Sequence, residues 1–387
     1  MKHLVSVLAV CLFLLASGSP EAAEPIKIGA VFSLSGPAAA IGTPTKLVTQ
    51  MVVEKINKEG GINGRPIELV MGDTESEPTK AVMVVKKFIN VDKVAAIIGP
   101  DTTDLGMAVK KLVEDSGVPT VMTVGGDPVI MGGGPLGTFK WVFKSPQRSS
   151  TAVEKLYGYL KKSNLTKIAL ITASDGFGKD GKGWLIKLAP NFGITIVGDE
   201  SFNPKDTDVT AQLSKLSSTS PDALICWTIG PAAAIVAKNV RQLGLKEPLF
   251  QCHGIPDPKY VELAGPSADG SSMPSTKLMA WEQLPETDPQ KKVIKDFIHL
   301  YNDVYQINKQ FPINTHSGYA WDAIYLVADA MKKVGVEPDK LRDEIEKTKD
   351  HIGISGIYNL NSEDHNGLNT DSMIIVRVEN GQWKLIE

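Results

Sequence analysis

Between residues 26 and 252, short apolar runs and amphipathic stretches alternate almost without a break, and few architectures accept that order. Ile26–Phe32, Ile67–Met71, Ala95–Ile98 and Pro119–Thr123 read as strands. Helical stretches separate them, one ending near Lys58, others covering Pro78–Asn90 and Thr103–Asp115. After Lys144-Ser145-Pro146 a second series opens with a helix over Thr151–Lys162, followed by strands Lys167–Thr172, Thr195–Glu200, Ala223–Trp227 and Leu249–Cys252. Its intervening helices are expected over Gly181–Ala189, Val209–Leu216 and Ala232–Leu243. Strands that alternate with helices form parallel sheets with helices on both faces, because each crossover must pass over the sheet. The fold class is therefore α/β.

Two such series in 387 residues give two lobes, since one core rarely serves a chain of that length. Met273–Pro289 reads as irregular, two helices follow near Gln290–Tyr305 and Thr315–Val334, and the chain closes on antiparallel strands turning at Asn380-Gly381. The expected division is 24–145 with 275–350 in lobe 1, and 146–274 with 351–387 in lobe 2.

The N-terminus has its own signal. Met1-Lys2-His3 is basic, Leu4 to Ala16 is apolar, and small residues follow. That apolar run is too short to cross a bilayer, which takes about 20 residues, and it has the layout of a cleaved secretory leader. Residues 1–23 are read as that leader and the chain as exported to the periplasm. Cys226 and Cys252, the two cysteines beyond the leader, allow either a disulfide or two unpaired core thiols.

Chemistry is sparse. The formal net charge is -3, from 41 basic and 44 acidic residues intermixed along the chain, so no basic stripe suggests nucleic acid. Gly176-Phe177-Gly178-Lys179-Asp180-Gly181 fits a dinucleotide-binding pattern, with Asp199 and Glu200 about 20 residues on. Three residues, however, part the strand from the first glycine, and Gly183 replaces a P-loop's magnesium-binding hydroxyl. The segment is read as a plain strand-to-helix loop. The histidines and cysteines show no metal-ligand spacing, and no nucleophile elbow occurs. No cofactor, metal or catalytic residue is expected, and an enzyme is not. Ile98-Gly99-Pro100-Asp101-Thr102-Thr103 is more informative: it leaves a buried strand and opens a helix, where amides and two hydroxyls can cradle a carboxylate or simply cap the helix.

With Leu34-Ser35-Gly36-Pro37, Glu59-Gly60-Gly61-Ile62-Asn63-Gly64, Ile97-Ile98-Gly99-Pro100, Asp175-Gly176-Phe177-Gly178 and Tyr319-Ala320-Trp321-Asp322-Ala323, the chain resembles the branched-chain amino-acid-binding proteins of ABC importers. The resemblance implies a type I periplasmic binding fold, two lobes closing on a small carboxylate such as Leu, Ile or Val. It implies delivery to an inner-membrane permease whose ATPase is a separate chain, and a monomeric receptor. It also implies a ligand site. Thr102 and Thr103 would hold the carboxylate, with Gly125 and Asp127 in the next loop; Ile41, Phe177, Trp227 and Ile229 would give apolar contacts. Members that bind amino acids carry an acid near Cys252-His253-Gly254 to pair with the ammonium. Here His253 stands in that place, which implies either that Asp127 substitutes or that the ligand is an amine-free, even aromatic, carboxylate. A ligand-sensing module on the same fold is the other class implied.

Overall fold

The computed structural model describes residues 24–132 and 139–387; the leader expected over residues 1–23 lies outside them. The first sheet contains β1 (Ile26–Phe32), β2 (Ile67–Asp73), β3 (Ala96–Ile98), β4 (Thr120–Met122) and β5 (Val142–Lys144), in the order β2-β1-β3-β4-β5. All its pairings are parallel. Helices α1 (Ala39–Lys58), α2 (Pro78–Lys87) and α3 (Thr103–Ser116) connect them. Ile28, Ala30 and Phe32 face one core while Val31 faces another. A strand buried on both sides in this way has to read as a continuous apolar run.

The second lobe runs through α4 (Ser149–Lys162), β6 (Lys167–Ala173), α5 (Gly176–Phe192), β7 (Thr195–Phe202), α6 (Thr210–Ser217), β8 (Ala223–Trp227), α7 (Pro231–Gln242), β9 (Leu249–Gln251), α8 (Pro258–Ala264) and β10 (Ser272–Thr276). The chain continues with α9 (Lys291–His299), α10 (Thr315–Val334), α11 (Pro338–Glu346) and the small ribbon β11 (His351–Ile352) with β12 (Ile357–Tyr358). It ends in β13 (Met373–Glu379) and β14 (Gln382–Leu385). The second sheet has the order β14-β13-β10-β9-β8-β6-β7, antiparallel only where β13 meets β10 and β14. The type I two-lobed α/β architecture is thus as the sequence implied.

Four local readings need correction. Met273–Pro289 is not irregular throughout: β10 is a strand, held between β9 and β13 despite Pro274. Gly176–Asp180 is not a loop but the first turn and more of α5, because the Asp175 carboxylate accepts the Gly178 N–H at 2.8 Å and caps the helix. Strand β5 and helix α11 had not been anticipated. The division of the chain also differs: Ile354, Tyr358, Leu360 and Leu368 pack into the first lobe's core, whereas Met373 packs into the second. The last crossing therefore falls between Leu368 and Met373 and not near residue 350. The cause is Asp322 on α10, whose buried carboxylate accepts the N–H groups of Ile354 (2.7 Å) and Ser355 (2.8 Å) and the Tyr358 hydroxyl (3.0 Å).

The chain consequently crosses between lobes three times, after Lys144, after Thr276 and before Met373. Side chains lace these crossings together. Asn366 donates to the carbonyls of Lys144 (3.1 Å) and Pro146 (2.7 Å). Gln147 donates to Ser355 and Ser372, and Thr276 and Thr315 share a hydroxyl contact at 3.3 Å.

Candidate functional site

Both sheets have a point where the strand order reverses, between β1 and β3 in one and between β6 and β8 in the other. Loops leaving such points diverge and open a crevice at the carboxyl ends of the strands. Here the two crevices face each other across a cavity with about 350 Å³ of empty space, part of it open to solvent. Lobe 1 contributes Ile41, Asp101, Thr102, Thr103, Thr123 and Gly125. Lobe 2 contributes Phe177, Ile229, His253 and Gly254, while His316 and Tyr319 come from the start of α10.

Seven of the nine residues picked from the sequence line this cavity: Ile41, Thr102, Thr103, Gly125, Phe177, Ile229 and His253. Trp227 and Asp127 do not. Trp227 is fully buried one layer back, its ring 6.0 Å from Phe177 and 5.6 Å from His253. Helix α5 can lie against that indole because Gly181 has no side chain; a Cβ there would overlap the ring.

Asp127 is turned away from the cavity. Its Oδ1 accepts the Ser149 N–H at 2.6 Å and its Oδ2 accepts the Ser150 hydroxyl at 2.6 Å. Lys144, whose side chain is also fully buried, lies 3.9 Å from it and donates to the carbonyls of Gly125 (2.7 Å) and Gln147 (3.2 Å). Burial lowers the Lys144 pKa to about 8, with Asp127 opposing the fall.

Asp101, His316 and Tyr319 were not picked. Asp101 accepts the N–H and hydroxyl of Ser33, each at 2.8 Å, and burial raises it to about 6. His316 follows Asn314, whose side chain caps α10 by accepting the Ser317 N–H at 3.0 Å. That cap was the available signal, because it makes a helix start at the cleft. Burial lowers His316 to about 4, with the backbone of Gly254 pulling the other way. Burial, then Lys144 and His316, lowers His253 to about 3. The backbone of Gln147 exerts a small opposing pull on His253, yet neither of its ring nitrogens makes a hydrogen bond of proper geometry.

Charges of both signs surround the cavity, the Asp101 carboxylate among its lining. The amino end of α3 opens at Thr102-Thr103, where the helix carries partial positive charge, and Lys144 lies behind the Gly125 carbonyl. Two hydrogen bonds close the rim between lobes: the Gly176 N–H donates to Asp104 (3.0 Å) and the Asp127 N–H to Asp180 (3.0 Å).

The neutral histidines set a pH dependence. His316 has a folded pKa below its unfolded value, so its contribution is complete above pH 6.5 and is lost as pH falls toward about 4. Asp101, raised to about 6, acts in the opposite direction over the same range. His316→Gln should therefore flatten the loss of stability between pH 6.5 and 4.5 by on the order of 1 kcal/mol per pH unit. Urea unfolding at pH 7, 6, 5 and 4.5 checks this; parallel curves for both proteins would mean that His316 takes up a proton in the native state.

Cys226 and Cys252 are both free and buried, the Cys252 thiol donating to the Thr228 carbonyl at 2.9 Å. Among the described residues no helix is long and apolar enough to cross a membrane, and no group of three or more His, Cys, Asp or Glu is arranged to hold a metal ion.

A profile of the periplasmic binding protein family matches residues 25–382. The leucine-, isoleucine-, valine-, threonine- and alanine-binding protein of Pseudomonas aeruginosa is 25% identical over 325 residues, covering 84% of this chain and 83% of that one. A Leu/Ile/Val-binding protein homolog of Brucella melitensis is 27% identical over 254 residues, 65% of this chain and 67% of that one. Among solved structures, an extracellular ligand-binding receptor from Rhodopseudomonas palustris superposes with a TM-score of 0.85 at 27% identity, covering 94% of this chain and 99% of that one. The branched-chain amino acid transporter substrate binding protein of Streptococcus pneumoniae, solved in complex with isoleucine, gives 0.79 at 25% identity, with 94% and 99% covered.

Proposed function

Because the chain belongs to the periplasmic binding protein family, we propose that it is the exported receptor of an ABC importer and captures a small carboxylate without an amine. The observation that carries this is the placement of Asp127. Its carboxylate is spent on Ser149, Ser150, Arg148 and Lys144, so it cannot balance a ligand ammonium. An ammonium buried with no anion beside it costs several kcal/mol. The ligand carboxylate is held by Thr102 and Thr103 at the amino end of α3, with Thr123 beside them. Ile41, Phe177, Ile229 and Tyr319 cover its apolar part. Binding closes the lobes about the three crossings, and the closed form is what an inner-membrane permease, powered by a separate ATPase, accepts. The receptor does no chemistry on its ligand.

A second reading rests on Asp101, which lines the cavity and could serve as the anion for an amino acid like those named for the relatives. Calorimetric titration separates the two. The proposal expects 4-methylpentanoate or benzoate to bind at least tenfold more tightly than leucine. Tighter binding of leucine, abolished by Asp101→Asn, would replace it with the amino-acid reading.

A further inference from the structure

His253 is 1% exposed and lines the cavity, yet neither of its ring nitrogens makes a hydrogen bond of proper geometry, the Gln147 backbone exerting only a small pull on the ring. Such groups are rare in folded proteins because an unpaired buried donor or acceptor costs about 1–3 kcal/mol. The ring is held in place by other means. It packs on Phe177 at 5.6 Å and on Trp227 at 5.6 Å between centroids. Its Nε2 is turned to the lobe 1 wall, where a Cβ on Gly125 would lie only 3.0 Å away. The next residue, Gly126, presents the same close approach to the Thr103 hydroxyl, 2.6 Å from where its Cβ would be. The imidazole and the Thr103 hydroxyl thus flank one peptide unit, whose Cα atoms are ~3.8 Å apart. A molecule of a few carbons can reach both.

We infer that His253 reads a second, uncharged oxygen on the ligand, so that the preferred ligands are hydroxy- or oxo-substituted monocarboxylates. This rests on the carboxylate reading given above. The uncharged character follows from the surroundings of the ring. Burial, then Lys144 and His316, opposes a charge on it, so the imidazole stays neutral, with one nitrogen donating and the other accepting. A neutral imidazole matches a hydroxyl in either direction and a carbonyl as donor. It would give a second carboxylate no counter-charge. The other candidate for this pairing, an ammonium, would meet Lys144 behind the Gly125 carbonyl.

The test is a calorimetric series on the purified wild-type protein with matched pairs: 4-methylpentanoate against its 2-hydroxy and 2-oxo forms, benzoate against 4-hydroxybenzoate, and leucine as the amine. At least one oxygenated acid should bind ten- to a hundredfold more tightly than its parent, the range that satisfying one buried polar group provides. His253→Phe should bring oxygenated and parent acids within about threefold of each other, and His253→Gln, which keeps a donor and an acceptor, should restore part of the gap. If every parent acid binds as tightly as its oxygenated form, the inference about His253 is overturned while the carboxylate receptor stands. If leucine outbinds all the acids, the amine-free reading falls and this inference with it. The wild-type series decides without either variant.

Discussion

Asp127→Ala is expected to lower the unfolding free energy of the second lobe's junction with the first by about 3–5 kcal/mol, the usual result of removing one member of a buried ion pair. Four losses combine, one of them the Arg148 guanidinium's contact with the Asp127 carboxylate at 3.4 Å. Ser149 starts α4 behind Arg148, which offers no side-chain cap, so the Asp127 carboxylate caps that helix from a different element. The Ser150 hydroxyl loses its acceptor. Lys144 keeps its carbonyl partners but loses the negative charge 3.9 Å away. Asp127→Asn, which can still accept from Ser149, should lose less. Urea unfolding measures both. The same variants test the assignment of Asp127 outside the cavity, because the ratio of leucine to 4-methylpentanoate affinity should not change. A selective loss of leucine binding in Asp127→Asn would return Asp127 to the role of ammonium partner.

Trp227→Ala should cost about 3–5 kcal/mol as well, through a different cause. The indole is fully buried, and truncating a buried tryptophan leaves a cavity that close-packed neighbours fill only in part. Here those neighbours are the rings of Phe177 and His253, which form the lobe 2 wall of the ligand cavity. Affinity for the best carboxylate should therefore fall at least tenfold even where the variant is fully folded, while Trp227→Phe should retain most of both properties. Thermal unfolding with and without ligand separates the two effects. A destabilised variant with undiminished affinity would show that the indole supports the core but not the site.

These two positions also show how far the sequence could be read. Both Asp127 and Trp227 were placed in the right loop or strand end, because parallel strands announce themselves as apolar runs and their carboxyl ends then locate the crevice. What could not be read was direction. The family resemblance implied that Asp127 faces the ligand, yet beyond Gly125-Gly126 its carboxylate turns to Ser149 and Ser150 of α4. His316 and Asp101 line the same cavity but escaped notice for different reasons. His316 arrives on a helix some sixty residues after its lobe 2 neighbours, a placement that only the crossing topology creates. Asp101 looked like part of a loop already explained by Thr102 and Thr103. Strand β10 went unseen because Ser-Met-Pro-Ser-Thr has little intrinsic preference for a strand; it is one because β9 and β13 pair with it on either side. Glycine-rich Gly176–Gly181 misled in the same way, its helix being imposed by the Asp175 cap and by the indole it packs against.

The three laced crossings have a mechanical meaning. One connecting segment would let the lobes swivel freely, and two would still permit twist about the line joining them. Three segments tied by Asn366, Gln147 and the Thr276–Thr315 contact should resist both torsion and sideways shear and leave flexion as the softer motion. In the closure proposed above, each stroke would return Thr103 and His253 to the same facing positions, and selectivity would be carried by the stiffness of the hinge as much as by the chemistry of the walls.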